Sequence, residues 1–125
     1  MPDPRIRKSP ITEKLSELTE THPVQAEESI SYAQALSILR ERRRGAVVLC
    51  REGRVTGILT ERDILNKHIL EGIAPKTPAS QLMTRDPVTV TPDATIRQAI
   101  ALMHKKSIRN LPIVDKEMRL VGLLT

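Results

Sequence analysis

An α/β fold follows from three features of this 125-residue sequence. A chain of signals recurs at a spacing of 64 to 65 residues, short apolar runs alternate with helical periodicity, and the first helical stretch of each unit opens on a hydroxyl residue with Gln three positions later. A period this long implies two supersecondary units packed on one another, not a solenoid.

Taken in order, Met1 to about Ile11, with Pro2, Pro4 and Pro10 among charges, buries too little apolar surface to offset its ordering entropy and reads as an arm, residues 1–15. The repeat then begins. Ser16-x-Leu18-x-x-x-x-Pro23-Val24 returns as Ser80-x-Leu82-x-x-x-x-Pro87-Val88. Short strands are expected near Val24 to Glu27 and Val88 to Val90. Each leads to a helix with a capping box, Ser31-x-x-Gln34 and Thr95-x-x-Gln98, whose hydroxyl caps the third helical amide while the Gln reaches back. Behind the boxes Tyr32, Ala35, Leu36 and Leu39 match Ile96, Ala99, Ile100 and Met103, so each helix buries one stripe.

Two apolar runs follow each helix. In the first unit Ala46 to Cys50 and Arg54 to Leu59 flank Glu52-Gly53; in the second, Leu111 to Val114 and Leu120 to Leu124 flank Lys116-Glu117-Met118. The second turn is one residue longer, which moves the spacing from 64 to 65. After Thr60 a helix is expected to about Leu70, with Ile64, Leu65, His68 and Ile69 on one side and Gly72 near its stop. Ala74-Pro75-Lys76-Thr77-Pro78 then reads as a linker. The expected boundaries are therefore 16–73 for the first unit, 74–79 for the linker and 80–125 for the second unit.

Composition narrows the chemistry. With one Tyr and no Phe or Trp the core is aliphatic, and a flat ligand would meet aliphatic walls. The single cysteine, Cys50, excludes an internal disulfide and paired-cysteine zinc patterns and fits a reducing compartment, the cytoplasm. No apolar run approaches a membrane span, and Met1 to Pro10 has no core for a secretory signal. A net charge of +5 favours anionic partners without choosing among them.

No catalytic constellation assembles. His22, His68 and His104 stand in unrelated contexts, no Gly-x-Ser-x-Gly or Gly-rich phosphate loop occurs, and Cys50 falls in a strand expected to be buried. The expectation is a chain that is not an enzyme and holds no metal. Arg40-Glu41-Arg42-Arg43-Arg44 is a basic run at a helix C-terminus, where dipole compensation is the ordinary reading and a nucleic-acid footprint the alternative.

The two units, each strand-helix-strand-strand-helix, resemble the cystathionine-β-synthase (CBS) domain, and the tandem resembles a Bateman module. Gly57-Ile58-Leu59-Thr60-Glu61-Arg62-Asp63, Ser80 to Val90, and Asn110-Leu111-Pro112-Ile113-Val114-Asp115 carry the resemblance, which covers about residues 16 to 125. It implies two repeats related by a pseudo-twofold, their small sheets packed together with helices outside. The second repeat, ending at Thr125, lacks the closing helix and the Thr-x-x-Asp carboxylate.

What the resemblance implies for function is a regulatory sensor that performs no chemistry and requires no cofactor. It would bind AMP, ADP, ATP or S-adenosylmethionine in the cleft between repeats. Asp63 would accept the ribose hydroxyls, since two acceptor oxygens suit a vicinal diol. Thr60, with Arg62 beside it, would meet a phosphate or ribose oxygen, and Arg109 and Asn110 stand where similar proteins place phosphate contacts. Gly45 and Ala46, their counterparts in the first unit, offer no such side chains, and Arg44 is the nearest substitute. Read as local structure alone, Thr60-x-x-Asp63 is a helix cap and Arg109 a solvated loop arginine. Similar modules pair through their helices, so a homodimer is expected, through Glu61 to Leu70 and Ile96 to His104, together with an effector protein. The alternatives are a structural dimerisation module with vestigial sites and a basic nucleic-acid binder.

Overall fold

The structure, a computed structural model, describes residues 14–15, 23–42, 45–66 and 72–125. The N-terminal arm up to residue 13, Ser16-x-Leu18, Arg43, Arg44, and the expected helix end from residue 67 to Leu70 lie outside the described residues. Two compact units form, one from Pro23–Pro87, the other from Val88–Thr125 with Lys14 and Leu15. The packing units are thus offset from the sequence period: the second repeat's opening segment, up to Pro87, belongs to the unit formed by the first.

In the Pro23–Pro87 unit the elements are β1 (Gln25–Glu27), α1 (Tyr32–Arg42), β2 (Ala46–Arg51), β3 (Arg54–Thr60), α2 (Glu61–Ile64) and β4 (Thr84–Arg85). Strand order in the sheet is β1-β2-β3-β4. β1 runs parallel to β2, as a strand-helix-strand crossover requires, and β3 is antiparallel to both its neighbours. Glu52 and Gly53 both have positive φ, 54° and 79°, the conformation of a two-residue hairpin whose twist matches its strands. That turn sets the β2–β3 register from Arg51↔Arg54 to Ala46↔Thr60, with an irregularity between Leu49 and Cys50.

α1 begins where the sequence expects. Ser31 Oγ accepts from the Gln34 amide at 3.1 Å, and Gln34 Oε1 accepts from the Ser31 amide at 2.9 Å. Tyr32, Ala35 and Leu39 are its buried stripe and pack with Val47, Leu49 and Leu59.

The expected linker does structural work. The Tyr32 amide donates to Thr77 O at 2.7 Å and the Ala33 amide to Pro75 O at 3.0 Å, so linker carbonyls satisfy the first donors of α1. Beyond it a 3-10 turn, Ala79–Gln81, delivers buried Ala79, Leu82 and Met83 to the same core, and β4 pairs with the outer edge of β3. Neither was expected from the sequence: two residues of strand and three of 3-10 helix carry no periodicity to read. Among the described residues α2 is α-helical over Glu61–Ile64, and residues 65 and 66 continue in a wider π-type turn.

The second unit contains α3 (Ile96–Lys106), β5 (Leu111–Val114) and β6 (Leu120–Leu124), the strands forming an antiparallel pair. The Thr95–Gln98 capping box is present, with bonds of 2.9 and 3.1 Å. Leu15, Ala99, Leu111 and Ile113 are its buried core. The three-residue turn ends on Met118 with φ 64°, and the Asp115 carboxylate accepts from the Glu117 and Arg119 amides at 2.8 and 2.9 Å. The strand expected near Val88 to Val90 is reduced to a single parallel pair, Val90↔Ile113. Pro87 and Pro92 on either side have no amide proton to extend it.

Gly57 is the tightest point of the first core. A Cβ there would lie 2.7 Å from Met83 Cγ and 2.9 Å from Cε, and closer still to Sδ. Gly57→Ala is expected to destabilise the fold by about 1–3 kcal/mol in urea melts through overpacking. In a Met83→Ala background the same substitution costs less, giving a coupling of at least about 0.5 kcal/mol in a double-mutant cycle. Equal costs in both backgrounds would place the strain elsewhere. At the hairpin, Glu52→Asn is expected to stabilise by a few tenths to about 1 kcal/mol, because Asn tolerates the left-handed region better than Glu.

Candidate functional site

The β3 strand ends at Thr60, whose extended backbone, φ −109° and ψ 163°, makes it the N-cap of α2. Its Oγ1 accepts from the Asp63 amide at 3.1 Å, and Asp63 Oδ2 accepts from the Thr60 amide at 3.0 Å. The Thr-x-x-Asp step is therefore a complete capping box. The first amide of α2 is also taken: Glu61 donates to Gly45 O at 2.9 Å, tying the start of β2 to the start of the helix. Two amides at the start of α2, those of Glu61 and Asp63, are thus engaged by the fold itself.

The cap leaves chemistry over. The Thr60 hydroxyl accepts from Asp63 and keeps its own proton to donate. Among the described residues Asp63 Oδ1 makes no hydrogen bond, and Oδ2, with one bond accepted, has a lone pair left. Both side chains are half-buried and Arg62 between them is exposed. A carboxylate pinned through one oxygen keeps acceptor capacity on the other, so the capping role does not by itself use up the residue.

Arg109 and Asn110 belong to the other unit. α3 ends on Ser107 in the left-handed region, φ 54° and ψ 44°, with Ser107 N donating to His104 O and Ile108 N to Met103 O. Ser takes the place that glycine usually holds at such a stop. The turn leaves Arg109 exposed and Asn110 half-buried immediately before the fully buried β5. Thr60, Arg62 and Asp63 thus form one local group, and Arg109 and Asn110 a second.

A shallow depression of about 630 Å³ in the second unit was not anticipated from the sequence. It is lined by Thr91, Pro92, Asp93, Asp115, Lys116 and Glu117 and contains none of the expected site residues. The Thr91 hydroxyl holds the Asp93 carboxyl below the usual range, and the Arg119 amide, with the Glu117 amide after it, does the same for Asp115. These carboxylates repel a phosphate. The local signals were Thr91-x-Asp93 and the Asp115 turn, which read as turn chemistry and nothing more.

Cys50 is buried and its Sγ lies 3.5 Å from Gln25 Oε1. Burial, with Glu27 adding to it, pushes the thiol pKa up, which keeps it neutral and unreactive. Among the described residues no group of three or more His, Cys, Asp or Glu side chains is placed to hold a metal, and no helix is long and apolar enough to cross a membrane.

The CBS domain family model matches residues 15–69 and 79–125. The chain belongs to the CBS domain family. Its CBS repeats are 34% identical over 91 residues to the CBS domain-containing protein YhcV of Bacillus subtilis, covering 73% of this chain and 64% of that protein. A Methanopyrus kandleri protein is 38% identical over 89 residues, 70% of this chain and 45% of the other. The chain thus spans between about half and two thirds of the length of these relatives. Among solved structures, the CBS domain pair of protein MJ0100 in complex with 5-methylthioadenosine and S-adenosyl-L-methionine superposes with a TM-score of 0.82 at 27% identity, covering 91% of this chain and 90% of that one. The CBS domain protein PAE2072 from Pyrobaculum aerophilum, complexed with AMP, gives 0.83 at 28% identity over 90% and 87%.

The buried thiol makes a direct test of this CBS core. A disulfide reagent at neutral pH is expected to label Cys50 slowly in the native protein and rapidly once urea unfolds it. Immediate native labelling would mean that β2 is not covered as described.

Proposed function

We propose that this chain is a non-catalytic, cytoplasmic regulatory module that binds an adenosine ligand, AMP, ADP, ATP or S-adenosylmethionine, and passes the bound state to an effector protein. The observation that supports this most is the Thr60–Asp63 junction, where a capping box pins a half-buried carboxylate and leaves acceptor capacity on it. Two structural neighbours with similar repeats hold adenosine compounds, AMP in one and S-adenosylmethionine with 5-methylthioadenosine in the other. In this reading Asp63 takes the ribose, Thr60 and Arg62 a ribose or phosphate oxygen, and Arg109 and Asn110 contact phosphate. The ligand acts only through its differential affinity for two arrangements of the module or its partner.

The capping role and the ribose role make different demands on one carboxylate. Asp63→Asn keeps an acceptor for the Thr60 amide, so the unliganded fold is expected to lose less than about 1 kcal/mol. Ribose binding loses one of two acceptor oxygens and is expected to weaken at least about tenfold. Paired melting curves with and without each adenosine ligand separate the two. A ligand at about a hundred times its Kd raises stability by about 2.7 kcal/mol, several degrees in a domain of this size. Equal shifts in parent and variant would reduce Asp63 to a cap; no shift with any of the four ligands would overturn the sensor reading.

The module is proposed to act as a homodimer. Leu65, next to α2, is 57% exposed and Ile100 on α3 is 55% exposed, the large apolar side chains that a second copy would cover. Sedimentation is expected to give twice the 14.0 kDa chain mass, and Ile100→Glu to shift the distribution toward monomer. A parent that sediments as a monomer at high micromolar concentration would refute the pairing.

A further inference from the structure

α3 carries two stripes, and one of them packs on the core of the second unit. Ala99 is buried there, with Ile96, Leu102 and Met103 beside it against Leu15, Leu111 and Ile113. Round the helix from that stripe, Arg97, Ile100, Ala101, His104 and Lys105 stand at i, i+3, i+4, i+7 and i+8, and all five are exposed. They form a continuous second stripe with an apolar centre and basic ends. None of the 11 residues of α3 is acidic, and among the described residues no ion pair reaches Arg97, His104 or Lys105.

Such a stripe is poorly matched to itself. Laid antiparallel across a twofold axis between Ile100 and Ala101, it sets Arg97 of one copy against His104 and Lys105 of the other; laid parallel, it sets each cation against its own counterpart. Like charges juxtaposed across a contact disfavour that contact, so a second copy covers Ile100 with a different face.

The exposed large apolar side chains among the described residues are Leu65, Ile100 and Met118. Met118 sits on the β5–β6 turn, where Glu117 is already held by Arg119 at 3.4 Å. Leu65 follows the first turn of α2, and Glu61, four positions before it, is exposed and makes no ion pair among the described residues. Arg62, the cation of the same turn, lies about 100° round the helix from Glu61. With Ile100 seated on Leu65 and the helices antiparallel, the step of about 6 Å back from Leu65 to Glu61 matches the step on from Ile100 to His104 and brings Glu61 beside Lys105. The acidic first turn of α2 then meets the basic last turn of α3, and the two helix dipoles oppose.

We infer that the homodimer is built from unlike faces, the Arg97–Lys105 stripe of α3 in one copy docking on Glu61 and Leu65 of the other. The inference rests on the homodimer reading above. The apolar pair Ile100 and Leu65 supplies the contact, and the charges at its ends set partner and direction.

Full-length chains carrying Leu65→Cys and chains carrying Ile100→Cys, mixed and treated with a short bismaleimide, are expected to give a cross-linked pair. Each variant alone, and the parent with its buried Cys50, is expected to give little. Ile100→Cys cross-linking alone as fully as the mixture sets α3 against itself and overturns the inference. A mixture that sediments as a dimer yet does not cross-link also overturns it and leaves the homodimer standing, whereas a parent that sediments as a monomer removes both. Charge reversal supplies a second arm. Lys105→Glu is expected to weaken dimerisation at least about threefold, and Glu61→Lys in the same chain to recover most of that loss. Both positions are exposed, so folding is not at stake. A pair of α3 helices facing each other would instead tighten on Lys105→Glu, because Arg97 would then meet a carboxylate, and that result also overturns the inference.

Discussion

The pairing of β2 with β3 is the constraint on which the Pro23–Pro87 unit depends. β2 is buried from Ala46 to Cys50, so every amide and carbonyl along it must find a partner inside the protein. β1 supplies one side and β3 the other. Because side chains alternate across a sheet, a slip of one residue would turn Val47 and Leu49 away from α1 and expose the core stripe. The Glu52–Gly53 turn prevents that slip, at the cost of holding a glutamate at positive φ. The same register fixes where β3 stops, opposite Ala46, and so where Thr60 can cap the next helix.

From this the linker acquires its role. Once β3 lies beside β2, its outer edge presents unpaired backbone groups, which β4 covers in part through Gly57↔Arg85 and Ile58↔Thr84. The close approach of Met83 to Gly57 belongs to the same docking. The linker and the start of the second repeat, Ala74 to Arg85, are therefore no spacer: they cap α1, fill the core with Ala79, Leu82 and Met83, and close the sheet.

The site chemistry follows from the same economy of groups. Asp63 is oriented by a bond the helix needs in any case, so its carboxylate is held without a dedicated support. In the second unit the Asp115 carboxylate is likewise engaged by the amides of its own turn, those of Glu117 and Arg119.

The sequence by itself determined the two-unit α/β organisation, the three helix starts and both hairpins. These are signals within a few residues: a capping box spans four positions, and a two-residue turn against a three-residue turn shows directly as a change in spacing. It also showed Thr60-x-x-Asp63 as a helix cap, because both halves of the capping box lie within four residues. It did not show that the linker is part of the core, that Val88 to Val90 makes only one pair, or that Asp93 and Asp115, 22 positions apart, share a depression. Those are non-local facts. Only the tertiary structure sets which distant backbone groups lie close enough to bond, since no local pattern of residues encodes a distance across the fold.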